Sequence, residues 1–206
     1  MKGKGWDDHY ARRARNENWL ARSVYKLQEM DERFTLIRRG NRLLDLGCYP
    51  GSWSQYGIRK VGQEGNVIGI DLNKPERLSS KNFRFMEGNV LAIDLEQIPK
   101  KITPRDLVMS DMAPATTGIS TTDISRSMEL AERAFEIACA VLKKKGNFLC
   151  KIFEGEGIRT FRSKIGSNFQ KIQTIRPKAV RKGSREVYIV GLSFHASNVP
   201  VSRFKG

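Results

Sequence analysis

No run of the 206-residue chain is apolar for long enough to cross a bilayer. The N-terminal stretch MKGKGWDDHYARRARNENW is charged throughout and lacks the apolar centre of a secretory leader. Disulfide chemistry is equally poorly provided for: Cys48, Cys139 and Cys150 are odd in number, far apart, and form no CxxC pair. These absences argue against a disulfide-framed secreted domain and against a cysteine zinc site, and they predict a soluble, cytoplasmic protein with reduced thiols. His9 and His195 are isolated from one another, so no metal site is expected. There is no internal repeat. The remaining scarcity is acid: 22 Asp plus Glu stand against 37 Lys plus Arg, for a formal net charge of +15, a balance that points to a polyanionic partner.

What is present is the alternation of a mainly parallel α/β sheet covered by helices, in a length that suits one domain with short extensions. Strands are predicted at 42–46, 66–71, 83–87, 106–110, 147–153, 171–175 and 186–194. The clearest helix is predicted over 123–144, where Ile124, Met128, Ala131, Phe135, Ala138 and Leu142 share a face and Lys143, Lys144 and Lys145 close the last turn before Gly146. A first helix is predicted over 17–34, carrying Arg22 and Lys26, and loops at 73–82 and 178–185.

The stretch LLDLGCYPGSWSQ follows the first predicted strand, where open α/β sheets hold their ligands. Gly47 and Gly51 are spaced GxxxG, and Tyr49 occupies the place of the second glycine of a dinucleotide fingerprint, where a side chain would obstruct a pyrophosphate. No GK[ST] follows, so a phosphate-cradling loop is absent too. Asp71, 20 residues after Gly51, ends the second strand where a carboxylate can accept from both hydroxyls of a ribose. Asn89 follows the third strand and could meet an adenine edge. An adenosine without phosphates, joined to an amino acid, is S-adenosylmethionine. The competing reading is a glycine turn that serves only as a tight connection.

Three further stretches place ionisable residues near strand ends: Asp111 in LVMSDMAP, Lys151 in NFLCKIFEG and Glu186 in SREVYIVG. Singly each has a bland explanation, as a turn cap, a snorkelling lysine and a solvated strand residue. A lysine among Cys150, Ile152 and Phe153 is nonetheless costly to bury unless paired, and Asp111 and Glu186 are partners of opposite charge.

The segments DLGCYPGSWSQY, SDMAP, KIFEGEG and SREVYIV together resemble the FtsJ/RrmJ family of S-adenosylmethionine-dependent RNA ribose 2′-O-methyltransferases, in order from about Arg22 to Val190. The resemblance implies a Rossmann-like sheet of seven strands, the last antiparallel, with helices on both faces. It implies a catalytic tetrad at Lys26, Asp111, Lys151 and Glu186, with cofactor contacts at Gly47, Gly51, Trp53, Asp71, Asn89 and Asp111. Two departures are visible: Asn89 stands where relatives usually carry aspartate, and Cys48-Tyr49 replaces two small residues. RNA contacts are expected from Arg12, Arg13, Arg15 and Arg22 and from Lys178, Arg181, Lys182 and Arg185, with Trp6, Tyr10 or Trp19 for stacking.

The implied organisation is a basic N-terminal extension and helix at 1–30 that contacts RNA, a methyltransferase domain at 31–195, and a basic tail at 196–206. The implied reaction is 2′-O-methylation of a ribose, on a uridine of large-subunit ribosomal RNA in the assembled or nearly assembled subunit, by a monomer. A transfer-RNA substrate, and a non-catalytic RNA-binding assembly factor that keeps the cofactor fold, are the alternatives. A nicotinamide oxidoreductase is disfavoured by Tyr49.

Overall fold

The computed structural model of the chain describes residues 4–102, 104–115 and 117–195, with side chains from residue 9 onward. The expected tail at 196–206 and the side chain of Trp6 lie outside the described residues. Seven strands form one sheet in the order β3-β2-β1-β4-β5-β7-β6. They are β1 (Arg42–Leu46), β2 (Asn66–Asp71), β3 (Phe83–Glu87), β4 (Arg105–Ser110), β5 (Leu142–Phe153), β6 (Phe169–Ile175) and β7 (Glu186–Phe194). The first five pair in parallel, and β7 runs antiparallel between β5 and β6. The helices are α1 (Lys4–Asn16), α2 (Val24–Phe34), α3 (Ser52–Val61), the short α4 (Ile98–Lys101), α5 (Ser120–Val141) and α6 (Ile158–Gly166).

The sheet separates two cores. Alternation along β7 shows the division: Val187 and Ile189 join Phe135, Phe148 and Phe161 beneath α5 and α6, whereas Tyr188 and Val190 join Leu27, Met30 and Trp53 beneath α2 and α3. β1 is buried from Leu43 to Leu46, the near-continuous apolar run of a strand covered on both faces. After β1 the chain moves outward to β2 and β3 and then returns to β4 on the other flank. The carboxyl ends of β1 and β4 therefore border the crevice where the strand order reverses, which is where such sheets hold ligands.

α2 is anchored near both ends. At its start the Ser23 and Ser52 hydroxyls lie 2.8 Å apart and the Trp53 indole N–H donates to the Ser23 carbonyl at 2.9 Å. Near its end buried Asp31 accepts from the Tyr56 hydroxyl at 2.7 Å and from the Ile37 N–H at 2.8 Å.

Two sequence expectations are corrected. The long helix ends at Val141 rather than Lys144: Leu142 is already extended and pairs with Arg105 of β4. The register then jumps to Leu107 opposite Asn147, which pushes exposed Lys143, Lys144 and Lys145 out of the ladder. The three lysines follow the helix instead of closing it. The first helix does not span 17–34, because Asn18 takes a left-handed backbone (φ 57°) and the Gln55 amide holds both the Leu20 N–H and the Asn18 carbonyl. Residue 30, where the N-terminal extension was expected to end, lies inside α2, and Ala14 of α1 is buried in the same core as Leu27 and Tyr188. As the resemblance implied, the last strand, β7, is antiparallel to its neighbours β5 and β6.

Candidate active site

The glycine turn closes between β1 and α3. Gly47 adopts φ 73°, and a Cβ there would lie 2.2 Å from Cγ of Met112, so the backbone passes the β4 loop too closely for a side chain. Gly51 (φ 107°) begins α3 against Leu20 and Pro75. Asp71, at the end of β2, ties the turn down: its two carboxylate oxygens accept from the N–H of Tyr49 and of Asn73, each at 2.9 Å. A cleft of about 390 Å3 opens here, lined by Gly47, Tyr49, Asp71, Asn89, Asp111 and Met112 among others. Gly51 and Trp53 do not line it. Trp53 is 3% exposed and instead fastens the start of α2, so the structure does not bring it to the cleft as expected.

Asn89 does reach the cleft, but one lone pair of its amide oxygen already caps the short 3-10 turn Val90–Ala92 through the Leu91 N–H at 3.0 Å. Cys48 is buried against Gly69, and Tyr49 is 57% exposed at the cleft mouth. Beneath the floor, buried Asp45 accepts from the Ser54 hydroxyl at 2.7 Å. Burial first, then the charges of Asp111 and Asp71, push its carboxyl up to about 7 despite the hydrogen bond.

Asp111 belongs both to this cleft and to a cluster of charges beside it. The four residues expected as a tetrad come from four elements: α2 carries Lys26, the end of β4 Asp111, β5 Lys151 and the start of β7 Glu186. Lys151, 5% exposed, donates to the Asp111 carbonyl at 2.6 Å and lies 3.2 Å from its carboxylate. Lys26, 8% exposed, pairs with Glu186 at 2.8 Å and lies 3.8 Å from Asp111. Burial would raise the Asp111 carboxyl, yet Lys151, Lys26 and a hydrogen bond from Tyr188 together hold it below the usual range.

That tyrosine escaped sequence reasoning. Tyr188 lies opposite Lys151 in the β5–β7 register, and its hydroxyl donates to Asp111 Oδ1 at 2.5 Å. Burial, together with Asp111 and Glu186, pushes its phenol far above ordinary, so it is a donor at neutral pH. The usable signal was its position two residues after Glu186, on the same face of one strand.

The basic residues divide. Arg12 and Arg15 are exposed on α1, and Arg181 and Lys182 on the loop before β7. Arg22 donates to the Ala179 carbonyl at 3.1 Å, and the Lys178 N–H donates to Glu29 at 2.7 Å, so the loop is tied to the segment leading into α2 and to α2 itself. Arg13 is engaged within the chain, 2.6 Å from Glu17 and over the Tyr25 ring, and Arg185 donates to the Ser120 hydroxyl. Trp19 already carries the Arg59 guanidinium 4.0 Å from its ring, and Tyr10 packs against Tyr25.

The family model described as FtsJ-like methyltransferase matches residues 19–194. A protein of Bdellovibrio bacteriovorus named ribosomal RNA large subunit methyltransferase E is 45% identical over 189 residues, covering 90% of this chain and 96% of the relative. A protein of the same name from Methanothermobacter thermautotrophicus is 39% identical over 199 residues, covering 93% and 94%. Among solved structures, a Plasmodium falciparum protein provisionally named a ribosomal RNA methyltransferase superposes with a TM-score of 0.75 at 25% identity, covering 85% of this chain and 98% of that one. Aeropyrum pernix fibrillarin, solved with natively bound S-adenosyl-L-methionine, shares the fold at a TM-score of 0.53 and 15% identity, covering 76% and 68%.

Proposed function

Since the chain belongs to the FtsJ-like methyltransferase family, we propose that it methylates the 2′-oxygen of a ribose, that of a uridine in large-subunit ribosomal RNA, using S-adenosylmethionine. The observation that carries this reading is the sharing of Asp111 between the glycine-turn cleft and a cluster of two buried lysines and two half-buried carboxylates. Binding alone needs no such cluster, since each buried charge is costly unless it is paired.

The cleft suits the cofactor. Its close-passing Gly47 backbone and the Asp71 carboxylate fit an amino acid joined to a ribose, and Tyr49 stands where a pyrophosphate would have to pass. Gly47, Asp71, Asn89 and Asp111 would hold the molecule, with Gly51 shaping the turn. When bound, the cofactor supplies a methyl group on an electrophilic sulfonium.

The chain's own residues then have to hold a ribose hydroxyl in line and remove its proton, because the neutral hydroxyl is a poor nucleophile. Lys151 is placed for this. As a neutral amine it has two N–H groups and one lone pair. The Asp111 carbonyl and carboxylate occupy two directions around Nζ, which leaves the lone pair for the hydroxyl proton. As an ammonium the same geometry leaves one N–H to orient the oxygen. Asp111, which also faces Lys26 and accepts from Tyr188, steers the amine, and Lys26 with Glu186 positions the ribose.

The reading includes a ribosomal substrate met in the assembled or nearly assembled subunit, a monomeric enzyme and a cytoplasmic site of action. Among the described residues no helix is long and apolar enough to cross a membrane. The test is transfer of a labelled methyl group to three acceptors: large subunits lacking the modification, free ribosomal RNA and transfer RNA, with the product nucleoside identified. 2′-O-methyluridine formed on subunits is expected. Labelling of transfer RNA alone would move the substrate, and a product methylated on a base would contradict the reaction.

A further inference from the structure

A second cavity, of about 270 Å3, opens at the opposite edge of the sheet, where β2, β3 and β4 begin. Its lining includes Asn66, Lys81, Arg84, Lys101 and Arg105, and no carboxylate occurs among its described lining residues. Arg105 is 2% exposed and is among the largest fully buried side chains of the protein. Its guanidinium donates to Asn66 Oδ1, a neutral acceptor, at 2.6 Å. Burial and then the charges of Arg42 and Arg84 push it down to about 10, with Asp106 opposing. Asp106 is already engaged by the Arg42 N–H and by Lys143.

The surroundings have the same sign. Exposed Lys143, Lys144 and Lys145, displaced from the ladder by the register jump, lie at this edge of the sheet, since β5 pairs there with the start of β4. Arg84 is braced by donating to the Lys101 carbonyl at 3.0 Å, which holds one cation at the cavity rim. A cavity that gathers the exposed Lys81, Arg84 and Lys101 around the deep Arg105, with no carboxylate among its described lining residues, has the charge and the room for a phosphate with its sugar.

We propose that this cavity binds a phosphate group, that of an RNA backbone phosphodiester, and gives the enzyme a second RNA contact on the far side of the sheet from the methyl-transfer site. The assignment to RNA rests on the function proposed above; the affinity for phosphate does not. An enzyme gripping a structured RNA at both edges of its sheet would fix the orientation of the substrate without adding to the chemistry.

Because Arg105 is buried, the test uses the exposed rim in a triple variant, Lys81→Gln, Arg84→Gln and Lys101→Gln. Steady-state methylation of large subunits, S-adenosylmethionine affinity and calorimetric titration with inorganic phosphate are each measured against wild type. The expected result is a KM for subunits raised about tenfold, a salt dependence flattened by about 2 in log–log slope, and unchanged kcat and cofactor affinity. An unchanged KM with loss of phosphate binding would uphold the anion site and reassign its source to a free phosphate compound. If both KM and phosphate binding are unchanged, the proposal is overturned. Should the wild type methylate no RNA, the phosphate titration still decides the cavity independently of the proposed reaction.

Discussion

Replacing Tyr188 by Phe removes a single oxygen from Asp111 and leaves the ring beneath Lys26. Losing a donor to a half-buried carboxylate costs about 1.5–3 kcal/mol. Tyr188→Phe is therefore expected to slow single-turnover methyl transfer by about tenfold or more while cofactor affinity stays within about twofold; an unaltered rate would remove the phenol from the site. A second residue-scale prediction concerns Asp45, whose carboxyl rises from 3.8 to about 7 on folding. Its contribution is intact below pH 3.8, where both folded and unfolded chains carry the proton, and stability is lost progressively as pH rises toward 7. The loss is on the order of 3–4 kcal/mol. Asp45→Asn, which can still accept from Ser54, should gain in melting temperature over wild type as pH climbs from 4 to 8. A pH-independent difference would show that Asp45 stays ionised in the fold. Lys26, Asp111, Lys151 and Glu186 could be grouped from the sequence only through the family resemblance of the segments around them, since singly Asp111, Lys151 and Glu186 each had a bland explanation. For Tyr188 the spacing put it on the face of Glu186, but its pairing with Lys151 depends on the β5–β7 register, which the spacing does not supply.

At the scale of elements, the turn between β1 and α3 depends on the absence of side chains. Gly47→Ala would set a methyl 2.2 Å from Met112 Cγ and impose a left-handed φ on alanine, costing about 1–3 kcal/mol and displacing the Met112 wall of the cleft. The expected outcome is a lowered denaturation midpoint and a weakened S-adenosylmethionine affinity by calorimetry; full affinity would show that the β4 loop yields freely. The strands buried on both faces could be read from their apolar runs, and β1, β2, β3 and β7 have the bounds expected. The junction of α5 with β5 could not. A lysine run before glycine has the composition of a helix end, but Leu142 was captured by the edge of β4 at Arg105, and the tertiary pairing outweighs the local preference. The segment 17–23 was misread for a similar reason, since its turn is held by Gln55, 35 residues distant from Leu20.

Across the whole molecule the +15 charge is distributed to both edges of the sheet, a feature that composition announces without locating. On the tetrad side, Arg12, Arg15 and Lys182 are exposed, and the intervening loop is bound to α2. Neutralising these three should flatten the log–log salt dependence of RNA binding by about 2, at roughly 0.7 per phosphate contact. An unchanged slope, measured by filter binding across salt, would remove them from the interface. The fold brings the glycine-turn cleft and the charge cluster together at Asp111, and the proposed reaction depends on that junction acting through Lys151. Its most direct test is the single-turnover rate of methyl transfer to large ribosomal subunits by Lys151→Ala, with S-adenosylmethionine affinity measured on the same protein. The expected rate is reduced by at least about 100-fold, the contribution of a positioned proton acceptor, with affinity preserved. Methyl transfer at the wild-type rate would contradict it.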